Sequence, residues 1–309
     1  MNKAFTRRKF LTTSSCALGA AALGKSVYQD AAAQPAEITR VDLNHAWVFQ
    51  GGGCNVFAIP GMTEDGVLMV DGGLADHTGA ILDAVYDTFG QERVHTLVNT
   101  HWHPEQTGAN ERLGAEGTVI IAHEKTRMFL ENAVMSALYE GRYGPLADAG
   151  LPVTTLSGTG TFKFAGQEII YGYLPAAHSE SDLFLYFPIL DILIAGGPVT
   201  TDQWPILDIR HGAWTGGLVS AYEMLGQIVS ADTTVIPAHG PIISGTDLLR
   251  MRAMYTNFHL DLAEQLNLGM GPKDTVNMGL LDDYVDQYGD PTQFIDYATR
   301  SMQRAYVPD

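Results

Sequence analysis

Ten histidines stand in this 309-residue chain, and their placement matters more than their number. His101-Trp102-His103 follows a short β-branched run, Val94–Val98, inside the segment Asn99-Thr100-His101-Trp102-His103-Pro104-Glu105-Gln106-Thr107-Gly108-Ala109-Asn110. Side chains two residues apart at a strand end point to the same side, so both imidazoles can reach one ion. Glu105 supplies a carboxylate two residues further on. His178, in Pro175-Ala176-Ala177-His178-Ser179, and His239, in Ile236-Pro237-Ala238-His239-Gly240-Pro241, also fall at predicted strand ends. Imidazoles and a carboxylate gathered this way suit metal binding and proton transfer. His123 reads as a capping or supporting residue, and His45, His77, His95, His211 and His259 as surface or helix residues without clustered partners.

The elements that must position these groups alternate in type, which argues for an α/β protein. Early strands are predicted at Thr39–Phe49, Val56–Ile59 and Val67–Val70, the last two joined as a hairpin through Pro60–Gly66. A helix is predicted from about Asp76 to Phe89, because Ile81, Val85 and Phe89 recur every fourth residue. Strands Val94–Val98 and Thr118–Ala122 follow. A second half repeats the style, with strands at Phe162–Phe164, Glu168–Tyr173, Leu183–Phe187, Ile192–Ala195 and Thr234–Pro237, and a helix at Trp214–Val229. Two β-rich halves with helices outside predict an αββα sandwich. Beyond Gly245 the pattern is helical only. Leu248, Met251, Tyr255, Phe258, Leu262 and Leu266 form one apolar stripe, and shorter helices are predicted near Val276–Tyr288 and Gln293–Tyr306.

Five ordered segments resemble the metallo-β-lactamase superfamily. Asn99–Asn110 is similar to its His-x-His-x-Asp-His loop, and Asp71-Gly72-Gly73 to its Asp-x-Gly turn. His178 falls at its third histidine, and Ile192-Leu193-Ile194-Ala195-Gly196-Gly197 resembles the strand that ends in a bridging aspartate. Ile236–Pro241 is similar to the closing segment with the last histidine. The resemblance runs from about Thr39 to Gly245, and it implies the αββα fold with residues 246–309 as a helical extension packed on it.

The resemblance implies that His101, His103 and His178 hold a first metal ion. It also implies that Asp71 buttresses the metal loops by hydrogen bonding, with Gln106 in a supporting position. The second metal's positions carry Glu105, Gln106, Gly197 and His239. Glu105 is one methylene longer than aspartate, an amide is a poor zinc ligand, and glycine offers nothing. The expectation is one zinc ion, with the second site weak or empty. Asp202, five residues after Gly197, reads first as a solvated or capping loop residue and second as a stand-in carboxylate.

Three neutral imidazoles leave a fourth zinc position for water, whose pKa falls to roughly 7, giving a hydroxide nucleophile. Glu105 is the candidate catalytic base and acid, and His239 a candidate base or donor to an oxyanion. The implied activity is hydrolysis of a small ester, lactone, thioester or amide. The alternative is a non-catalytic metal- or partner-binding protein of the same fold. Iron-dependent persulfide oxidation is disfavoured, because family members of that kind use the bridging aspartate that Gly197 replaces.

Composition and the N-terminus bound the setting. Thr6-Arg7-Arg8-Lys9-Phe10-Leu11, a modest apolar run to Leu23, and Ala31-Ala32-Ala33 resemble a twin-arginine export signal over residues 1–33. The expected partners are the twin-arginine export machinery and a small-molecule substrate, in the periplasm, with no stable membrane insertion after cleavage. Cleavage after Ala33 removes five basic residues and one acidic one, so the formal charge moves from −17 to −21. A surface that acidic repels polyphosphates and argues against nucleic acid. Cys54 remains as a lone thiol that cannot close an internal disulfide. Around it, Gly51-Gly52-Gly53 reads as a mobile flap rather than a phosphate cradle, since no helix follows. Pocket walls are expected from Gly51–Asn55, Met135–Leu151 and Thr200–Trp214.

Overall fold

A computed structural model describes residues 37–62, 66–136 and 141–306. The predicted export signal at residues 1–33 lies outside them. The first predicted strand is two, β1 (Thr39–Asp42) and β2 (Trp47–Gln50), paired antiparallel. Asn44 and His45 adopt φ values of 59° and 83°, and Leu43 N–H donates to the Ala46 carbonyl at 2.8 Å, closing a turn that periodicity alone did not reveal. β3 (Val56–Pro60) and β4 (Val67–Val70) form the expected hairpin. Helix α1 (Thr78–Phe89) ends on Gly90 in the left-handed region, a frequent helix stop.

β5 (Val94–Asn99) pairs parallel to β4, and β6 (Val119–His123) pairs parallel to β5. Between them lie the short helices α2 (Pro104–Thr107) and α3 (Asn110–Ala115). Helix α4 (Glu124–Leu130) follows, capped by His123, whose Nδ1 accepts from Lys125 N–H. A small hairpin of β7 (Val134–Ser136) and β8 (Gly141–Tyr143) comes next, then β9 (Thr154–Leu156). Among the described residues the first sheet has seven strands in the order β1-β2-β3-β4-β5-β6-β9.

The second sheet runs in sequence order. It comprises β10 (Thr159–Phe164), β11 (Gln167–Leu174), β12 (Asp182–Phe187), β13 (Ile192–Thr200), β14 (Thr234–His239) and β15 (Ile243–Ser244). Helix α5 (Thr215–Gly226) links β13 to β14, which pair parallel as a crossover requires. After β15 come α6 (Gly245–Asn267), α7 (Pro272–Asn277), α8 (Val285–Tyr288) and α9 (Thr292–Tyr306). The helix predicted over Val276–Tyr288 is broken, because Gly279 sits at φ 67° between α7 and α8.

Alternation along the strands builds the layers. Leu68 and Val70 of β4 point between the sheets, where they join Phe57, Val98, Leu183, Leu185, Phe187 and Ile236 in one core. Val67 and Met69, on the other face, pack against Ile81, Leu82 and Val85 of α1. The outer face of the second sheet, through Leu193, Ala195 and Val235, packs on α5, α6 and α9. Met251, Tyr255 and Phe258 of α6 and Ile295 of α9 belong to that same cluster. The chain is therefore an αββα sandwich whose C-terminal helices add to its outer layer. No helix of the described residues is long and apolar enough to cross a membrane.

Candidate metal centre

The site sits where β4, β5, the β11–β12 loop and β14 end. Asp71 at the end of β4 adopts φ 63°, a strained value for a non-glycine residue. That turn aims its carboxylate at the next strand's end. Thr100 N–H donates to Asp71 Oδ1 at 2.7 Å, and Thr100 Oγ1–H donates to Oδ2 at 2.8 Å. Burial pushes the Asp71 carboxyl up to about 8, against the two Thr100 donors that favour its charge. Gly72 N–H holds the Gln106 carbonyl at 2.8 Å, and Gly108 N–H holds the Gly73 carbonyl at 3.1 Å. A Cβ on Gly72 would stand 2.7 Å from Ala109 Cβ, so this approach requires glycine. Asp71 thus bonds directly to Thr100, the residue before His101.

His101, His103 and His178 are buried, and one donor atom from each lies within 4.8 Å of the others. Their ring centroids form a near-equilateral triangle with sides of 4.7, 4.6 and 4.7 Å. Each ring turns one nitrogen outward. Thr100 Oγ1, its own proton committed to Asp71, accepts from His101 Nδ1–H at 3.1 Å. His103 Nε2–H donates to Asp208 Oδ2 at 3.2 Å, and His178 Nδ1–H to Asp182 Oδ1 at 3.3 Å. These acceptors set the tautomers, so His101 Nε2, His103 Nδ1 and His178 Nε2 are the nitrogens that would face an ion. His101 Nε2 is buried with no hydrogen-bond partner among the described residues, as a nitrogen meant for a metal would be. Burial, then the other imidazoles, holds His101 well below the ordinary histidine range, so protons compete weakly for that lone pair. The donor set therefore fits one divalent ion. Among the described residues this is the one such group of His, Cys, Asp or Glu.

Asp182 and Asp208 were not singled out by sequence. Asp182 accepts four times, from the N–H groups of His178 (2.8 Å) and Ser179 (2.6 Å), from Ser179 Oγ (3.0 Å), and from the His178 ring. A turn of Ser179-Glu180-Ser181-Asp182 directly after a histidine was the available signal. Asp208 lies 105 residues from His103 and offered only His211, whose Nδ1 it meets at 2.8 Å. His211 is therefore not the isolated surface residue its sequence position suggests. Burial acts to raise the Asp208 pKa, but the hydrogen bonds from His103 and His211 outweigh it and hold the carboxyl well below its usual value. Supporting carboxylates of this kind are worth about 10–100-fold in metal affinity. We expect Asp208→Ala to weaken metal binding by about that factor in a chelator competition. Unchanged affinity would show that His103 needs no such partner.

The second-site positions fare differently. Glu105 is buried beside the triangle, its Oε1 3.9 Å from His103 Nδ1 and 4.0 Å from His239 Nε2. Gln106 is fully buried, and neither atom of its side-chain amide has a hydrogen-bond partner among the described residues. Gly197 lies against the His178 ring. A Cβ there would stand 2.4 Å from His178 Nδ1, so the place of a bridging side chain is already taken. Asp202 is exposed and outside the triangle. Burial holds His239 below the ordinary histidine range, against the nearby Glu105 and Asp202 charges that act to raise it.

His239 opens onto a cavity of about 450 Å³ lined also by Gln50, Gly51, Gly53, Cys54, Asn55 and Asp202. Its glycine wall is not loose. Asn55 Nδ2 donates to the Pro237 and Gly240 carbonyls, both at 2.9 Å, and Leu74 N–H donates to Gly52 O at 2.8 Å. Cys54 is buried there. Burial first, then the Asp71 and Glu105 charges, pushes its thiol well above its usual range. Because only the thiolate reacts, we expect iodoacetamide to label Cys54 at neutral pH at least about tenfold more slowly in the folded chain than in urea. Equal rates would show an accessible thiolate.

A two-sheet sandwich with three buried imidazoles at its strand ends defines a metallohydrolase-like scaffold. Residues 50–242 match the family model described as Metallo-beta-lactamase superfamily, and the chain belongs to that superfamily. A search of curated proteins finds no match. Among solved structures, a metallo-β-lactamase from Pontibacter korlensis is similar at 22% identity and TM-score 0.56, covering 72% of this chain and 99% of its own. Metallo-β-lactamase IND-7 is similar at 17% identity and TM-score 0.57, over 72% of this chain and all of its own. The stereoselective inverting sec-alkylsulfatase Pisa1 from Pseudomonas sp. aligns at 15% identity and TM-score 0.61, over 88% of this chain and 50% of its own. At these identities the likeness shows the fold.

Proposed function

We propose that the chain is a periplasmic hydrolase that uses one zinc ion to open a small ester, lactone, thioester or amide. The carrying observation is the His101–His103–His178 triangle with the Glu105 carboxylate 3.9 Å from its nearest nitrogen. A zinc ion bound there would polarise a substrate carbonyl and acidify water enough for attack near neutral pH. Glu105 accepts the proton of the attacking water and returns it to the leaving group. His239, on the other side of Glu105 and facing the cavity, donates a hydrogen bond to the oxygen that gains charge. Asp71 acting through Thr100, Asp182 and Asp208 keep the three imidazoles in the tautomers that ligation needs. The cavity of about 450 Å³ suits a small substrate. A formal charge of −17 supports a substrate other than nucleic acid. The twin-arginine segment supports export of the folded, metal-loaded chain to the periplasm.

The test is metal content and turnover of the exported protein against lactones, thioesters, β-lactams and secondary alkyl sulfates, the last two suggested by the structural neighbours. We expect about one zinc per chain, and a loss of roughly 10²–10⁴-fold in kcat for Glu105→Gln at unchanged zinc content. Unchanged turnover in that variant would remove Glu105 from the mechanism. One zinc with no turnover across the panel would favour a non-catalytic metal- or partner-binding protein.

A further inference from the structure

We propose that a second cavity, separate from the one at His239, binds a small organic anion with an apolar body. It measures about 420 Å³ and lies where the His211 loop, α4 and the end of α9 meet. Its lining shares no residue with the His239 cavity.

Its charges point to the ligand. Arg210 and Arg304 both line it, and neither has an ion-pair partner among the described residues. Arg304 donates to the Ile209 carbonyl at 3.0 Å, which positions the guanidinium without neutralising it. Six other described arginines, at 40, 112, 127, 250, 252 and 300, each find a carboxylate. Arg93 and Arg142, like this pair, find none among the described residues, and what sets Arg210 and Arg304 apart is that both line one cavity. The carboxylate lining the cavity, Glu180, is matched by Lys125 at 3.1 Å. Two guanidiniums at one cavity favour a carboxylate or sulfate head, which their planar donor forks fit. Phe129 and Trp214 supply apolar wall for the rest of the molecule. His211 completes the lining with Nδ1 held by Asp208, leaving Nε2 for a ligand. The occupant would then be linked to His103 of the imidazole triangle through His211 and Asp208.

Calorimetric titration of octanoate and of octyl sulfate into the full chain tests this, with octanol and inorganic sulfate as controls. At least one amphipathic anion should bind at one site per chain, with both controls about tenfold weaker or more. Which of the two binds tighter identifies the head group. The double variant Arg210→Ala/Arg304→Ala should weaken binding at least about tenfold, and Ala305→Trp, which keeps both guanidiniums but fills the cavity, should also lose it. Chelator-treated protein and His101→Ala should still bind, which keeps this proposal distinct from the zinc reading. Failure of both anions to bind, wild-type affinity in the arginine double variant, or loss of binding on metal removal would each overturn it.

Discussion

Gly197→Asp is expected to cost the protein its metal rather than complete a second site. At the level of family pattern, the substitution restores a missing bridging carboxylate. The packing says otherwise, because a Cβ at residue 197 would stand 2.4 Å from His178 Nδ1, 2.7 Å from Cε1 and 2.9 Å from Cγ. Real Cβ contacts are not that short, so the His178 ring must move. Its Nδ1 and the His178 N–H both bond to Asp182, which Ser179 holds by two more bonds, and moving the ring breaks the tautomer and aim that ligation needs. Overpacking of this kind costs about 1–3 kcal/mol. For a chain this size that lowers Tm by about 2–4 °C per kcal/mol. The expected zinc content falls below one per chain in Gly197→Asp. Gly197→Ala should share the effect, since the clash begins at Cβ. A rise toward two zinc ions in Gly197→Asp, with Gly197→Ala unaffected, would show that the chain lacks only the carboxylate.

His101→Ala should take zinc from about one per chain to none after dialysis, while Glu105→Gln retains it. Structural zinc binds with about 10–16 kcal/mol shared over four ligands. One imidazole is then worth about 3 kcal/mol, on the order of a hundredfold to a thousandfold in affinity. His101 is the sharpest case, because its Nε2 has no other partner among the described residues. Its outward nitrogen would still be replaced cleanly, since Thr100 keeps Asp71 when the ring is gone. The fold should survive, with three separate apolar clusters intact. Circular dichroism and metal analysis on the same sample read both quantities. Full zinc retention in His101→Ala would place the ion elsewhere.

The parts of this protein that sequence revealed are those carried by neighbours along the chain. Leu68 and Val70 against Val67 and Met69 announce a strand buried on both faces, and the apolar stripe from Leu248 to Leu262 announces α6. His101 and His103 two residues apart at a strand end already imply a shared ion. The turn at Asn44–His45 and the break at Gly279 escaped, since each depends on single backbone angles that hydropathy does not encode.

Sequence, through its resemblance to the superfamily, pointed to the αββα class, to the His101, His103 and His178 cluster and to Glu105, Gln106 and Gly197 at the second-site positions. Tertiary structure decided what those residues can do. It brought Asp208 across 105 residues to orient His103, and it laid the His178 ring on Gly197. It also set Glu105 between His103 and His239, and gathered Arg210 and Arg304 from distant segments around one cavity. The physical reason is one of range. Strand alternation and helix periodicity are properties of adjacent residues, whereas a hydrogen bond, a steric exclusion or a charge pair depends on where two remote segments meet.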